Sequence, residues 1–210
     1  GTESVRDVVR TSREIGIPLL TLYAFSTENW KRPPQEVSAL MRLLKQFLKL
    51  ELSEMVEKDI RLNAIGAVER FPDDVRKVLR KAMEATERNR TMTLNLALSY
   101  GGRDEIVRAA RKLATQAKNG ELNPDDITEA VFSSCLYTHK MPDPDLLIRT
   151  SGEMRVSNFL LWQIAYSELF VTPTLWPDFR RAEYLQILSD YQKRERRFGL
   201  TTTQAERSSD

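Results

Sequence analysis

Apolar positions follow two different spacings along the chain, and the changes between them predict its elements. Val5, Val8, Val9 and Ile15 recur so that they share one face of a helix over Glu3–Ile15. Gly16 stands where a helix stop belongs, and Pro18 follows it. From Leu19 to Phe25 the pattern becomes the near-continuous apolar run of a strand buried on both faces. Ser26–Pro34 is polar and predicts the loop at that strand's carboxyl end. Helical spacing returns over Glu36–Lys58, carried by Val37, Leu40, Met41, Leu44, Phe47, Leu48 and Leu52.

The alternation then repeats. Ile60–Ile65 reads as a strand ended by Gly66, and Pro72-Asp73-Asp74 opens a helix to about Arg88, with acid in its first turn. Thr91–Leu98 is a strand, and Asp104–Lys118 a helix closed by Asn119-Gly120. Asn123-Pro124 caps a short helix through Val131. Leu146-Leu147-Ile148 forms the next strand, and Arg181–Arg197 a final basic helix. Strands alternating with helices predict one α/β domain over residues 1–199, with a mainly parallel central sheet flanked by helices. Residues 200–210 form a polar tail for which disorder is expected.

Composition narrows the classes. A chain of 210 residues with 41% hydrophobic and 30% charged content is that of a soluble globular protein. A net charge of +2 leaves no global footprint for nucleic acid, so no nucleic-acid partner is expected. Cys135 is the only cysteine, which excludes an internal disulfide and fits a reducing, cytoplasmic compartment. No apolar run reaches the length of a membrane span and no signal peptide opens the chain. The sequence opens on Gly1 with no strand ahead of its first helix, so an upstream extension of the natural protein is expected.

The candidate chemistry lies where strands end. In an open parallel sheet, ligands bind outside the carboxyl ends of the strands. Arg149, Arg155 and Ser157 cluster after the strand at Leu146, and the planar guanidinium fork suits phosphate oxygens. The loop Ser26–Arg32 adds a hydroxyl, an amide, an indole and a guanidinium, and Gly101-Gly102-Arg103 follows a third strand. Arg32, Arg149 and Arg155 could therefore converge on one anionic ligand, or be ordinary solvated surface arginines. No Gly-x-x-x-x-Gly-Lys or Gly-x-Gly-x-x-Gly run exists, so neither a P-loop nor a dinucleotide site is indicated. His139 is the only histidine, and no nucleophile–His arrangement is indicated.

These same stretches resemble the signatures of a known family. They are Phe25-Ser26-Thr27-Glu28-Asn29-Trp30-Lys31-Arg32-Pro33, Ser99–Ile106, Arg149-Thr150-Ser151-Gly152-Glu153, Arg155–Gln163 and Trp176-Pro177-Asp178-Phe179. The resemblance is to the cis-prenyltransferases and spans about residues 1 to 199. It implies an enzyme that adds isopentenyl diphosphate to an allylic diphosphate, farnesyl diphosphate being the expected primer. Each new double bond is cis, and the product is a polyprenyl diphosphate of undecaprenyl length that serves as a cell-wall lipid carrier. By the same match, Arg149, Arg155 and Ser157 bind isopentenyl diphosphate, and Val156 belongs with the substrate-binding residues. Ser26, Thr27, Glu28, Trp30 and Arg32 contact substrate, and Asn29 takes part in proton removal. An amide is a poor base, so Asn29 is better placed to orient a diphosphate oxygen or a water that accepts the proton. Glu168 matches a carboxylate linked to the cofactor magnesium, and Arg197 belongs to an element reaching the partner's site in a homodimer. The resemblance also implies an apolar channel for the growing tail, of which the long amphipathic helix bearing Leu40, Leu44, Phe47 and Leu48, with the strand from Met92 to Leu98, could supply one wall. Peripheral membrane contact through the lipid product follows from the same resemblance.

Two departures qualify the match. The family's Asp-Gly-Asn-Gly-Arg-Trp run, whose aspartate is the central magnesium residue, does not occur in this sequence. These 210 residues are therefore expected to show little condensation activity without such a segment. Met154 stands where some members carry histidine, so no proton relay transfers to that position. The alternative is a non-catalytic cis-prenyltransferase-like partner subunit, which would be expected to lose the diphosphate-binding residues. A generic anion-binding α/β module would lack an apolar channel beside the arginines.

Overall fold

Parallel pairing on one fully buried strand sets the architecture. The structure is a computed structural model and describes residues 1–194. In chain order its main elements are α1 (Thr2–Glu14), β1 (Leu19–Ser26), α2 (Pro34–Glu57), β2 (Ile60–Ile65) and α3 (Asp73–Ala85). There follow β3 (Met92–Tyr100), α4 (Gly102–Lys118), α5 (Glu129–Ser133), β4 (Leu146–Arg149), β5 (Glu168–Val171) and α6 (Arg181–Gln192). β3 lies between β1 and β2 and pairs parallel with both, and β4 pairs parallel with β5. The expected parallel sheet is thus present in two hydrogen-bonded pieces. β1 and β4 are edge strands of those pieces, and both line the same cavity.

Side-chain alternation along β3 divides the core. Met92, Leu94, Leu96 and Leu98 join Met41, Leu48 and Met55 of α2 and Val75, Leu79 and Ala82 of α3 in one cluster. Ala97 and Tyr100 belong instead to a second cluster with Ile65, Phe159 and Leu160. Tyr100 would share Leu98's face in a regular strand. Ser99, at φ 50, turns the backbone so that Tyr100 lands on the other side. The β1–β3 register shifts at the same level. Such bulges re-aim side chains where strands meet functional loops. Gly66 is obligatory opposite: its φ is 107, and a Cβ there would lie 2.1 Å from the Leu98 carbonyl oxygen.

A polar row crosses this otherwise apolar sheet. Asn95 is fully buried, accepts from Asn63 Nδ2 at 2.7 Å and donates to Thr21 Oγ1 at 3.2 Å. The three residues sit at one register level, since Thr21 and Asn63 both pair with Asn95. Their side chains fix the stagger of three strands whose apolar patterns alone would tolerate slippage.

Several sequence expectations need correction. The stretch Thr27–Lys31 is a 3₁₀ turn, where the polarity suggested a simple loop. Asn123 caps only a 3₁₀ turn, and the helix behind it starts from Thr128, whose Oγ1 accepts from Val131 N. β5 carries only the apolar residues Leu169, Phe170 and Val171 behind Glu168, too short a signal to separate from loop. α6 closes at Gln192, where Arg194 N folds back onto the Tyr191 carbonyl, so the helix stops short of the expected Arg197. Arg197 and the polar tail 200–210 lie outside the described residues.

Replacing Asn95 by Ala strands the Asn63 amide and the Thr21 hydroxyl in the sheet. The expected cost is about 1–3 kcal/mol for those unsatisfied groups. It should appear as a lower urea midpoint at unchanged slope. An unchanged midpoint would show that the polar row contributes nothing to stability.

Candidate functional site

The loop after β1 is ordered by its own side chains. Ser26 N–H donates to Asn29 Oδ1 at 2.9 Å, as part of a capping box that closes the 3₁₀ turn. That bond engages the amide oxygen of Asn29, so its NH₂ is the group that can donate to a ligand. The Trp30 indole N–H donates to Ser99 Oγ at 2.9 Å, on the residue that forms the bulge in β3. Its ring packs edge-on to Phe25 and against Phe71, with the Arg70 guanidinium 5.3 Å from the ring centroid. Trp30 therefore presents a wall. Arg32 pairs with Glu36 one helical turn on, at 2.7 Å, with both side chains about half exposed.

The loop after β4 holds the anion-binding candidates. Arg149, the last residue of β4, reaches Glu153, and Arg155 reaches the other oxygen of the same carboxylate at 2.6 Å. Two guanidiniums thus close on one anionic group. Arg149 Nε is buried with no partner, so this fork has capacity for a further acceptor. Glu153 lies inside a family-like stretch that gave it no role, and its four-residue spacing from Arg149 is the signal that points to it. Ser157 and Asn158 follow with φ of 49 and 63, and Leu160 with 44, so the backbone wraps tightly in left-handed conformations. Val156 lines the cavity.

The β1 and β4 loops touch. Asn158 Nδ2 donates to Glu28 Oε1 at 2.9 Å. Burial pushes the Glu28 carboxyl up, but hydrogen bonds from Asn158, its own backbone, Ser26 and Thr27 outweigh that and hold it below the ordinary carboxylate value. The Gly-Gly-Arg loop after β3 joins the same junction. The N–H groups of Gly102 and Arg103 at the start of α4 donate to the Asn158 backbone carbonyl and Oδ1, at 2.7 and 2.9 Å. A Cβ on Gly102 would meet Leu161 Cγ at 2.7 Å. The close approach is thus made by the protein's own chain.

Glu168 is not brought to this cluster. It opens β5 opposite Leu146, whereas Arg149 pairs with Val171 at the other end of the ribbon. Three residues of strand separate the two levels, about 10 Å. Glu168 instead accepts from Arg194 Nη1 at 2.7 Å. Among the described residues no group of three or more His, Cys, Asp or Glu side chains could hold a metal ion. Magnesium takes one or two carboxylates together with substrate phosphates and waters, so Glu168 remains the one carboxylate that the resemblance offers for it, and no chemical step is routed through the cation.

A cavity of about 960 Å³ adjoins the site. Its walls include the outer edge of β1, the edge of β4 up to Arg149, and Phe159. Of the expected channel wall, Leu40, Leu44 and Phe47 line it, as do Leu96 and Leu98. Leu48 is only 1% exposed and belongs to the core, and Met92 and Leu94 are buried beside it. Phe159 and Leu160 are likewise core residues, while Trp162 packs on Phe132 and donates to Ser133. That apolar run is spent inside the protein. No helix among the described residues is long and apolar enough to cross a membrane.

Fold and site together define an α/β protein in which two arginines share one carboxylate at the carboxyl end of a parallel strand, beside a largely apolar cavity. The model of the family described as "Putative undecaprenyl diphosphate synthase" matches residues 1–199, and the chain belongs to that family. The isoprenyl transferase of Chlorobaculum tepidum is 56% identical over 204 residues, covering 97% of this chain and 77% of that protein. The isoprenyl transferase of Bacillus subtilis is 50% identical over 199 residues, covering 95% and 76%. The crystal structure of lavandulyl diphosphate synthase from Lavandula x intermedia, in complex with dimethylallyl diphosphate, superposes with a TM-score of 0.91 at 40% identity. That superposition covers 94% of this chain and 86% of the other.

The Glu28 carboxyl yields a pH test. Its folded value is lowered, so its contribution to stability is full above the ordinary value of 4.5 and is lost as pH falls through the lowered one. The melting-temperature gap between wild type and Glu28→Gln should be widest near neutral pH and close in acid. A gap that does not vary with pH would remove the charge of Glu28 from the loop's stability.

Proposed function

We propose that the protein elongates an allylic diphosphate with isopentenyl diphosphate, forming each new double bond in cis and releasing inorganic diphosphate. The observation that carries this reading is the closure of Arg149 and Arg155 on the single carboxylate of Glu153. It places two guanidiniums within reach of one anion, beside a cavity with a largely apolar lining. Family membership and the isoprenyl transferase relatives point to the same reaction.

In this reading Arg149, Arg155 and Ser157 hold the diphosphate of isopentenyl diphosphate, which exchanges with Glu153. The allylic C1–O bond breaks as its diphosphate leaves, and the isopentenyl alkene carbon forms the new C–C bond. The attack leaves a cation on the other alkene carbon, and the carbon next to that centre then gives its proton to a diphosphate oxygen or a water oriented by Asn29, restoring a double bond. The departing diphosphate develops negative charge, which a preorganised guanidinium stabilises more than it stabilises the ground state. Arg32 and the amide NH₂ of Asn29 lie on the loop that faces that charge. The growing hydrocarbon occupies the cavity beside Leu40, Leu44 and Phe47. Farnesyl diphosphate as primer, magnesium as counter-cation of the diphosphates, a carrier lipid of undecaprenyl length and a cytoplasmic location with peripheral membrane contact belong to the same proposal.

A homodimer also belongs to it. Tyr166 and Leu169 are 73% and 46% exposed around the start of β5, and such aromatic and aliphatic exposure supports an interface. Sedimentation velocity at micromolar concentration should give about twice the chain mass of 24.3 kDa. A monomer, in a preparation that binds isopentenyl diphosphate, would remove the dimer.

Arg155→Ala should weaken isopentenyl diphosphate tenfold or more, from the roughly 1.5–3 kcal/mol of a charge-assisted hydrogen bond. The measurement is KM in labelled isopentenyl diphosphate incorporation, with calorimetric binding beside it. Unchanged binding by a folded variant would take Arg155 out of the site. Tight binding without incorporation under any primer would favour the partner-subunit alternative.

A further inference from the structure

Glu28 and the Arg149–Ser157 loop come from strands on different pieces of the sheet, and one side chain spans the space between them. Asn158 uses both ends of its amide and its backbone carbonyl. Oδ1 accepts from Arg103 N at 2.9 Å, which fixes the orientation of the amide and makes Nδ2 the donor to Glu28 Oε1 at 2.9 Å. Its carbonyl accepts from Gly102 N at 2.7 Å. Thr27 Oγ1 lies 3.2 Å from Asp104 Oδ2 across the same junction and 3.3 Å from Glu28 Oε2, and its one hydrogen is shared between the two carboxylates. No slack surrounds it: a Cβ on Gly101 would lie 2.6 Å from Thr27 Oγ1, 2.6 Å from Asp104 Oδ2 and 2.8 Å from Asn158 Nδ2.

We infer that Asn158 is a positioning residue that sets the Ser26–Arg32 loop against the Arg149–Ser157 loop, holding the two halves of the diphosphate site at a fixed separation. The inference rests on the diphosphate reading for what the site binds, but the clamp itself stands on the contacts above. Asn158 is placed for this by its backbone. Its φ of 63 is one that Asn and Asp adopt more readily than other side chains bearing a Cβ. Ser157 immediately precedes it, so a shift in Asn158 moves the Ser157 hydroxyl and, through Glu28, the turn carrying Asn29 and Arg32.

The test uses the full chain and three variants. Asn158→Gly removes the side chain without backbone strain at positive φ. Asn158→Asp keeps the conformation but sets a carboxylate against Glu28. Asn158→Asp combined with Glu28→Gln restores the bond with donor and acceptor exchanged, while the second oxygen of the introduced carboxylate still accepts from Arg103 N. Amide hydrogen exchange over Ser26–Arg32 and calorimetric binding of inorganic diphosphate are read for each. Asn158→Gly and Asn158→Asp should each speed exchange in that loop roughly tenfold and weaken diphosphate roughly tenfold, about the loss of one charge-assisted hydrogen bond. The double variant should recover most of both, which general destabilisation would not produce. Unchanged loop exchange in Asn158→Gly, or a double variant no better than Asn158→Asp, would overturn the inference. So would altered exchange with diphosphate binding intact. If the wild type itself does not bind diphosphate, the reading of the site fails, while loop exchange and its rescue still decide the clamp.

Discussion

Burial of β3 is the constraint from which the rest follows. From Leu94 to Tyr100 every residue is 2% exposed or less. A strand so enclosed needs both backbone edges paired and both faces covered, because unpaired amides away from water are costly. β1 and β2 satisfy the edges, while α2 and α3 cover one face and the Tyr100–Phe159 cluster covers the other. The bulge at Ser99 then ends the strand by sending Leu98 and Tyr100 to opposite sides. Its hydroxyl also holds the Trp30 indole. The same backbone irregularity that terminates the sheet therefore orients the loop that carries Asn29 and Arg32.

The electrostatics of the site are those of exchange. Each candidate arginine already has a carboxylate: Arg32 has Glu36, while Arg149 and Arg155 share Glu153. Internal pairing keeps the guanidiniums ordered and prevents their mutual repulsion from splaying the loop. In the proposed reading a diphosphate would have to outcompete a carboxylate already in place. Its greater charge and larger number of oxygens favour that exchange, and one oxygen could meet the buried Nε of Arg149. Net affinity is then a difference between two strong interactions. Added salt should affect it most at Arg155, whose side chain is 67% exposed, and least at Arg149, at 29%.

Much of this is legible in the sequence. The near-continuous run at Leu19–Phe25 and the helical spacing across Leu40, Leu44, Phe47 and Leu48 identify a strand and a helix within one or two residues of their observed ends. Arg149 and Arg155 can be paired because one ends a short apolar strand and the other stands in the loop that follows it. Other features are not legible, for physical reasons. β5 is four residues long and has no alternation to detect. The run Phe159–Trp162 reads as an exposed patch or a core segment with equal ease, and only tertiary packing places it inside. Glu168 lies next to the motif in sequence but at the far end of a parallel ribbon, a separation set by strand register alone. The split of the sheet between β1 and β4 depends on which edges meet, and periodicity carries no information on that.

The backbone at Ser157, Asn158 and Leu160 shows how local strain and placement are connected. Left-handed conformations cost a residue with a Cβ roughly 1–2 kcal/mol, and three fall within four positions. Glycine would relieve that strain at each place, yet none of the three is glycine. Leu160 and Asn158 each supply something that a hydrogen atom cannot. Leu160 is 4% exposed in the cluster beneath Tyr100, and Asn158 bonds to two other loops. Ser157 alone of the three has no packing or bridging role of that kind among the described residues to explain it. Its hydroxyl stands two residues from Arg155, on a backbone held rigid by the neighbours on its carboxyl side. A strained residue without a packing role, fixed by residues that have one, is the arrangement expected of a ligand-facing hydroxyl. Leu160 and Asn158 thus anchor the loop, and the backbone position of Ser157 follows from theirs.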